Sequence, residues 1–213
     1  MASMEEEDKT SEQEKEGLKF LERDFNQCFT QMRHYDTQLL DTLKFLFSGY
    51  IGLIGFALGL YQFGVKERID LSMPGVVVLA VGNLLGLFMF SVAVRDRVYF
   101  VHVARYVNEQ RKFFLSIKPL GFKNESKMYT NSHYPQYFNW RSSHSWLLYI
   151  IAFLNSFLLG LMFFIVFREL TGYTARFILG GPAVLYTVQL FAAYKYLGSR
   201  NMKTAERSVF GKE

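Results

Sequence analysis

The feature that most constrains this chain is the near absence of charge from four long apolar blocks. The blocks contain no Asp, Glu or Arg, and they cover residues 45–63, 74–94, 146–167 and 177–197. Each is about 20 residues long, which is the length that an α-helix needs to cross the hydrocarbon core of a bilayer. Buried helices of a soluble bundle would carry a polar face at helical spacing, and these blocks lack one. The sequence therefore predicts an all-α protein with four transmembrane helices.

The distribution of Lys and Arg predicts how these spans are oriented. Fifteen such residues lie in residues 33–44, in the central segment 95–145 and after Leu197, whereas the two short connections between spans hold four. Because basic residues near spans remain mostly on the cytoplasmic side, both termini and the central segment are predicted to be cytoplasmic. The chain is thus predicted to be a multi-pass protein of the cell inner (plasma) membrane, whose net charge of +5 reflects basic residues that face anionic headgroups.

The segment before the first span divides into two parts. Residues 1–11 are polar and acidic, and they are predicted to be a disordered tail. Residues 12–44 contain no Pro and one Gly, and they are predicted to form a cytoplasmic helix that leads into the first span. Its mainly apolar seam repeats in alternating steps of three and four, through Leu18, Leu21, Phe25, Cys28, Met32, Tyr35, Leu39 and Thr42. This heptad-like spacing predicts a face that packs on another helix.

The other cytoplasmic segments carry most of the candidate binding residues. The second span has no breaker at its end, so its helix is predicted to continue over residues 95–118. Residues 119–145 are predicted to be an aromatic and basic loop, and residues 198–213 a basic tail. The candidates for binding a soluble partner or a nucleotide are Arg97, Arg105, Arg111, Lys112, Arg141 and Trp140. Rings beside cations can stack on bases and hold phosphate, but they also mark the headgroup boundary, and both interpretations stay open.

Small and polar residues inside the spans predict helix contacts. The glycines at close helical spacing are Gly49, Gly52, Gly55 and Gly59 in the first span and Gly82 and Gly86 in the second. Such spacing lets helix backbones approach closely, either within one chain or between copies. The candidates for polar packing or for lining a pore are Asn83, Asn155 and Gln189. In the fourth span, the Gly180-Gly181-Pro182 sequence predicts a kink or a break.

The motifs of several chemistries are missing from the sequence. It contains no phosphate-binding glycine loop, zinc-ligand spacing or nucleophile elbow, and the spans contain no carboxylate or histidine that would couple transport to protons. The chain is therefore predicted not to be an enzyme and to use neither a metal nor a cofactor. A pore lined by Asn, Ser, Gln and backbone stays open, as does a bundle without a pore.

The charged N-terminal helix, the four spans and the basic stretch with RDR at 95–97 and RYVNEQR at 105–111 together resemble small multi-span membrane proteins of prokaryotic anti-phage defence loci. Two groups come into question: the four-span accessory proteins of type VI-B CRISPR and related systems, and the SLATT-type effectors, from whose two-span pattern this chain departs. The resemblance implies a non-enzymatic membrane component that perturbs the membrane or controls a soluble partner. The glycine faces, the heptad-like seam and the lack of catalytic residues favour a homo-oligomeric effector or channel-like component in the lipid bilayer. The alternative is a scaffold whose basic cytoplasmic face recruits a soluble defence protein or a nucleotide or RNA ligand.

Overall fold

The structure, a computed structural model, describes residues 2–117, 123–127, 129–167 and 174–200. Over these residues it contains four helices and no strand, with the bounds α1 Ala2–Glu67, α2 Ser72–Ser116, α3 Ser143–Phe167 and α4 Thr174–Arg200. All four helices are long and apolar enough to cross a membrane. The prediction of an all-α fold with four transmembrane helices and long helical extensions is confirmed.

Two helix bounds differ from the sequence prediction. α1 begins at Ala2, so residues 2–11 are helical although a disordered tail was expected there. The segment contains neither Gly nor Pro and is rich in Glu, a strong helix former, which explains the longer helix. α4 begins at Thr174 and continues through Pro182, so the Gly-Gly-Pro sequence does not break it. Neighbouring groups can accommodate a proline inside a membrane helix.

Several predicted segments fall partly or wholly outside the described residues. These are the end of the helical extension at Lys118, the start of the aromatic loop, Met128 within that loop, the connection 168–173 and the greater part of the basic tail, 201–213.

The chain divides into two compact units. Unit 1 comprises Met1–Asp36 and Tyr99–Gln136, and unit 2 comprises Thr37–Val98 and Tyr137–Glu213. The predicted seam is the less exposed face of α1 in each unit, although Leu18 at its start is exposed. In unit 1 the half-buried seam residues are Leu21, Phe25, Cys28, Met32 and Tyr35. In unit 2 the same spacing continues through four buried residues, Leu39, Thr42, Leu46 and Tyr50.

Unit 2 contains the four apolar blocks and a core of aliphatic side chains. The large residues that are almost completely buried there include Leu46, Leu79, Leu148, Ile151, Leu158 and Leu197. Outside this core the spans expose most of their apolar surface. Of the 18-residue apolar segment in each helix, only 11% is buried in α1 and in α4, against 33% in α2 and 28% in α3. Acyl chains are as apolar as leucine, so lipid can cover such a surface at no hydrophobic cost.

The glycines of the two spans differ in what surrounds them. At Gly86 of α2, an added Cβ would overlap the Tyr50 hydroxyl and the Asn155 side chain, and at Gly82 it would overlap Leu53. Both glycines therefore permit close approach between helices. At the four first-span glycines, Gly49, Gly52, Gly55 and Gly59, an added Cβ would meet nothing within 4 Å among the residues described. The packing of one chain does not use that face.

The helices α3 and α4 approach each other closely at a glycine and a proline. A Cβ added at Gly160 of α3 would lie 3.2 Å from the Pro182 ring of α4 and 3.6 Å from the Ile178 carbonyl oxygen. The proline that was expected to interrupt α4 is thus a packing residue.

The glycine environments predict opposite outcomes for one substitution. Gly86→Ala should lower the free energy of unfolding by about 1–3 kcal/mol, because its methyl group overpacks a filled contact. Gly180→Ala should leave stability unchanged or raise it by about 0.5–1 kcal/mol, because alanine is the better helix former and a Cβ added at this exposed α4 position would meet nothing within 4 Å. Thermal unfolding of both variants in the same detergent, followed by circular dichroism, measures the difference. Equal effects at the two positions would contradict the packing described.

Candidate functional site

One polar side chain from each helix meets the others in the interior of unit 2. The Tyr50 hydroxyl of α1 donates a hydrogen bond to Asn155 Oδ1 of α3 at 2.5 Å. Asn155 Nδ2 donates to Gln189 Oε1 of α4 at 2.7 Å, and Asn83 Nδ2 of α2 donates to the Asn155 backbone carbonyl at 2.7 Å. All four residues are buried, and Asn155 has 0% of its surface exposed. We call these residues the polar cluster.

Backbone carbonyls provide further partners for the Gln189 amide of the polar cluster. Gln189 Nε2, whose amide oxygen accepts from Asn155, donates to the carbonyl oxygens of Ala152 at 3.4 Å and Leu185 at 3.3 Å. An amide left without partners in an apolar interior costs a few kcal/mol, so these bonds favour one arrangement of the four helices. A phenol and three carboxamides can fix helix positions or, if separated, line a polar path. They offer no ordinary general acid or base at neutral pH.

The sequence identified three of the four cluster residues but not Tyr50. Asn83, Asn155 and Gln189 are the polar residues predicted for packing or a pore, and the structure brings them together. Tyr50 was missed because a tyrosine in a span is often an interfacial anchor. A signal was available, since Tyr50 follows Leu46 at the spacing of the inward seam.

A second polar contact joins α1 and α2 within unit 1. The Asp24 carboxylate accepts hydrogen bonds from the Tyr106 hydroxyl at 2.7 Å and from Gln110 Nε2 at 2.6 Å. Cys28 Sγ donates to the same carboxylate at 3.9 Å. The bond to Asp24 and partial burial raise the pKa of Tyr106, and burial followed by the Asp24 charge raises the pKa of Cys28. Sequence reasoning placed Cys28 in the seam and Tyr106 and Gln110 in the basic stretch, but it did not single out Asp24.

The predicted binding residues of unit 1 have different roles. Arg105 is half-buried, and its Nε donates to the Pro135 carbonyl of the aromatic loop at 3.1 Å. The Arg111 guanidinium lies over two rings, with centroids 5.6 Å away at Phe25 and 5.2 Å away at Tyr129. Lys112 is exposed. Arg105 thus holds the loop, and Arg111 is engaged in cation–π contacts.

The other predicted binding residues belong to unit 2. Arg97 is only 4% exposed, and its Nε donates to the Tyr137 carbonyl at 3.1 Å, so it does not lie on a surface that a partner could meet. Trp140 and Arg141 are exposed. The Trp140 ring stacks on the Tyr194 ring of α4, with 5.8 Å between the ring centroids. Three of the six predicted binding residues therefore belong to each unit.

Neither a metal site nor a relative identifies the function. Among the described residues, no group of three or more His, Cys, Asp or Glu side chains could hold a metal ion. Comparisons with protein-family models, with curated proteins and with solved structures find no match to this chain. The polar cluster remains the most distinctive feature of the spans.

Removing one hydroxyl should test the energetic role of the polar cluster. Tyr50→Phe keeps the ring but leaves Asn155 Oδ1 without its donor, and it should lower the free energy of unfolding by about 1 kcal/mol. Tyr61→Phe makes the same chemical change at an exposed tyrosine of α1 and should have little effect. Reversible unfolding in mixed micelles measures both. A stability of Tyr50→Phe equal to that of Tyr61→Phe would argue against the bond.

The raised pKa of Cys28 predicts slow alkylation that Asp24 controls. Only the thiolate reacts, and its fraction at neutral pH falls as the pKa rises. Asp24→Asn removes the adjacent negative charge, lowers the Cys28 pKa and should accelerate reaction with iodoacetamide, whereas Glu22→Gln, an equal charge change at an exposed residue, should not. Labelling that is quenched at set times and analysed by mass spectrometry, over pH 7 to 9, gives the alkylation rates of Cys28. Identical rates in the two variants would contradict the influence of Asp24.

Proposed function

We propose that this chain is a non-enzymatic, homo-oligomeric membrane effector whose four-helix bundle is held closed by the polar cluster. The observation that carries the proposal is the set of hydrogen bonds that joins Tyr50, Asn83 and Gln189 to Asn155, so that one residue from each helix takes part. Polar groups inside spans are expensive, and they persist where they fix helix packing or serve a polar path. Bonded to one another, these four seal the interior; separated, they would line a route for water and ions.

A trigger can act on the polar cluster through the helices that carry it. α1 contains both Asp24 and Tyr50, and α2 contains both Gln110 and Asn83. A ligand that changes the bond between Asp24 and Gln110 therefore acts on the same two helices that supply half of the polar cluster. A switch of this kind needs two discrete arrangements that a ligand binds with different affinity.

The first-span glycine face supports the oligomeric part of the proposal. Gly49, Gly52, Gly55 and Gly59 are unused within the single chain, and small residues at this spacing are typical of contacts between membrane helices. In the oligomer this face packs on a second copy. The defence setting is supported by the resemblance to multi-span proteins of anti-phage loci, in which opening at the inner membrane would collapse the membrane potential of an infected cell.

Weakening the closed state should raise the permeability of the membrane. Asn155→Ala removes the side chain shared by Tyr50 and Gln189 and should increase potassium leakage from protein-loaded liposomes at least several-fold. Thr187→Ala is the matched control, because Thr187 is exposed on α4 and bonds only to the Ala183 carbonyl of its own helix. Leakage from liposomes and a potential-sensitive dye in expressing cells provide two independent readouts.

The outcomes separate a gate from a packing contact. Under the proposal, replacing Asn83, Asn155 and Gln189 together by Leu should abolish both the leakage and the loss of potential on expression, because no polar path remains. If Asn155→Ala lowers the unfolding temperature while permeability stays at the level of Thr187→Ala, the polar cluster only holds the helices together, and the effector proposal fails.

A second candidate function is a membrane scaffold that recruits a soluble defence protein or an RNA or nucleotide ligand. It is favoured by exposed Lys112, Lys123 and Lys127 in unit 1 and by Tyr129, which is 62% exposed beside Arg111. Cations and an open ring suit phosphate and bases. A scaffold would bind its partner without changing the permeability of the membrane. A leakage experiment in which Asn155→Ala leaves permeability at the level of Thr187→Ala would therefore favour this candidate.

A further inference from the structure

An apolar cavity of about 690 Å³ lies within unit 2, and no residue of the polar cluster lines it. Its walls come from the end of α1, the turn between α1 and α2, the start of α2 and the later part of α3. Representative wall residues are Leu58, Leu79, Leu161 and Phe164. The cavity is large enough for a ligand, since pockets of roughly 300–1,000 Å³ hold drug-sized molecules.

The position of the cavity along the spans indicates its depth in the membrane. The wall residues lie near the end of the first apolar block, the start of the second and the end of the third. When consecutive spans cross in alternating directions, these three segments lie at the same membrane side. The cavity thus lies within one leaflet, on the side of the turn at residues 68–71.

One end of the cavity is polar, and the rest is apolar. Arg68 lines that end beside Asp70, which also lines the cavity, and both side chains are exposed. The turn that presents it is well defined, because Ile69 N donates to the Gly64 carbonyl at 2.9 Å and Ser72 N donates to Asp70 Oδ1 at 2.9 Å at the start of α2. Arg68 itself has a φ of 58°, a left-handed conformation. A guanidinium at the rim of an apolar chamber complements a ligand with an anionic head and a long apolar tail.

We propose that this cavity binds one phospholipid, with an acyl chain inside it and the phosphate on Arg68. Guanidinium and phosphate form strong charge-assisted hydrogen bonds. At about 30 Å³ for each water-sized group, 690 Å³ holds about 20 such groups, comparable in number to the carbons of one acyl chain. The surrounding bilayer supplies this ligand at high concentration, whereas a water-soluble ligand would have to leave water for apolar walls. The site does not depend on the effector proposal.

Gly75 offers a direct way to fill the cavity. It is buried, it lines the chamber, and a Cβ added there would meet nothing within 4 Å. Gly75→Phe should therefore place its ring in the space of the acyl chain. Gly180→Phe is the matched control, because Gly180 of α4 is also open at Cβ but is exposed and does not line the cavity.

The phosphate contact needs its own pair of variants. Arg68→Asn removes the charge while keeping a residue that tolerates positive φ, and Lys66→Gln removes a nearby exposed cation that does not line the cavity. Phospholipid retention should become about tenfold weaker in Arg68→Asn, as expected for the loss of one charge-assisted bond. Lys66→Gln should retain lipid as the wild type does.

The experiment is native mass spectrometry of the full chain released from nanodiscs of phosphatidylethanolamine and phosphatidylglycerol. The proposal expects one retained phospholipid per chain in the wild type, Gly180→Phe and Lys66→Gln, and none in Gly75→Phe. Equal retention by Gly75→Phe and the wild type would overturn it. The proposal would also be overturned if the wild type is a dimer and Gly75→Phe is a monomer, because a second copy of the chain would then occupy the cavity.

A measurement on the wild-type chain protects the test against a variant that fails to fold. A phospholipid with a diazirine on its acyl chain, photolysed in the same nanodiscs, should label peptides that contain residues 57–79 or 157–165. Labels spread evenly over the exposed faces of all four spans would show that the cavity holds no specific lipid and would overturn the proposal.

Discussion

A carboxamide inside a membrane span must find its hydrogen-bond partners within the protein. The Asn155 carboxamide bonds to Tyr50 of α1 and Gln189 of α4, and the Asn155 backbone carbonyl accepts from Asn83 of α2. Water competes for such bonds at a protein surface, but the hydrocarbon core offers no substitute partner. The hydrogen bonds of Asn155 also restrict which residue the neighbouring helix α2 can have. Gly86 lacks a side chain where the Tyr50 hydroxyl and the Asn155 amide pass between the helices, so a single polar contact also determines which residue α2 can carry there.

The sequence is informative about features that depend on local pattern. The length of the apolar blocks predicts the four helices, because the thickness of the bilayer leaves few alternatives. The steps of three and four along α1 predict its inward face from Leu21 to Thr42. Asn83, Asn155 and Gln189 could be singled out because a polar residue is rare in such blocks. In each case the information lies within one helix or less.

Features that depend on contacts distant in sequence could not be predicted in this way. Asn155 and Tyr50 are 105 residues apart, and nothing in either segment indicates the other. Arg97 and Arg105 were interpreted as binding residues because arginines in a basic stretch usually face solvent. Each instead donates to a backbone carbonyl of the loop that precedes α3, Arg97 within unit 2 and Arg105 within unit 1. Backbone carbonyls outside helices and strands also need hydrogen-bond donors. The path of that loop was the missing information.

The continuity of α4 through Pro182 has a consequence for how it meets α3. Proline has no N–H, so it cannot make the helical bond to the carbonyl of Ile178 four residues earlier. That oxygen faces Gly160, whose missing side chain lets the α3 backbone come close. The Ile178 carbonyl and the Pro182 ring therefore both lie next to the space that a side chain at position 160 would fill, so the close approach of the two helices requires a small residue there. The residue that removes a helical bond within α4 is thus also the residue that packs on the glycine of its neighbour.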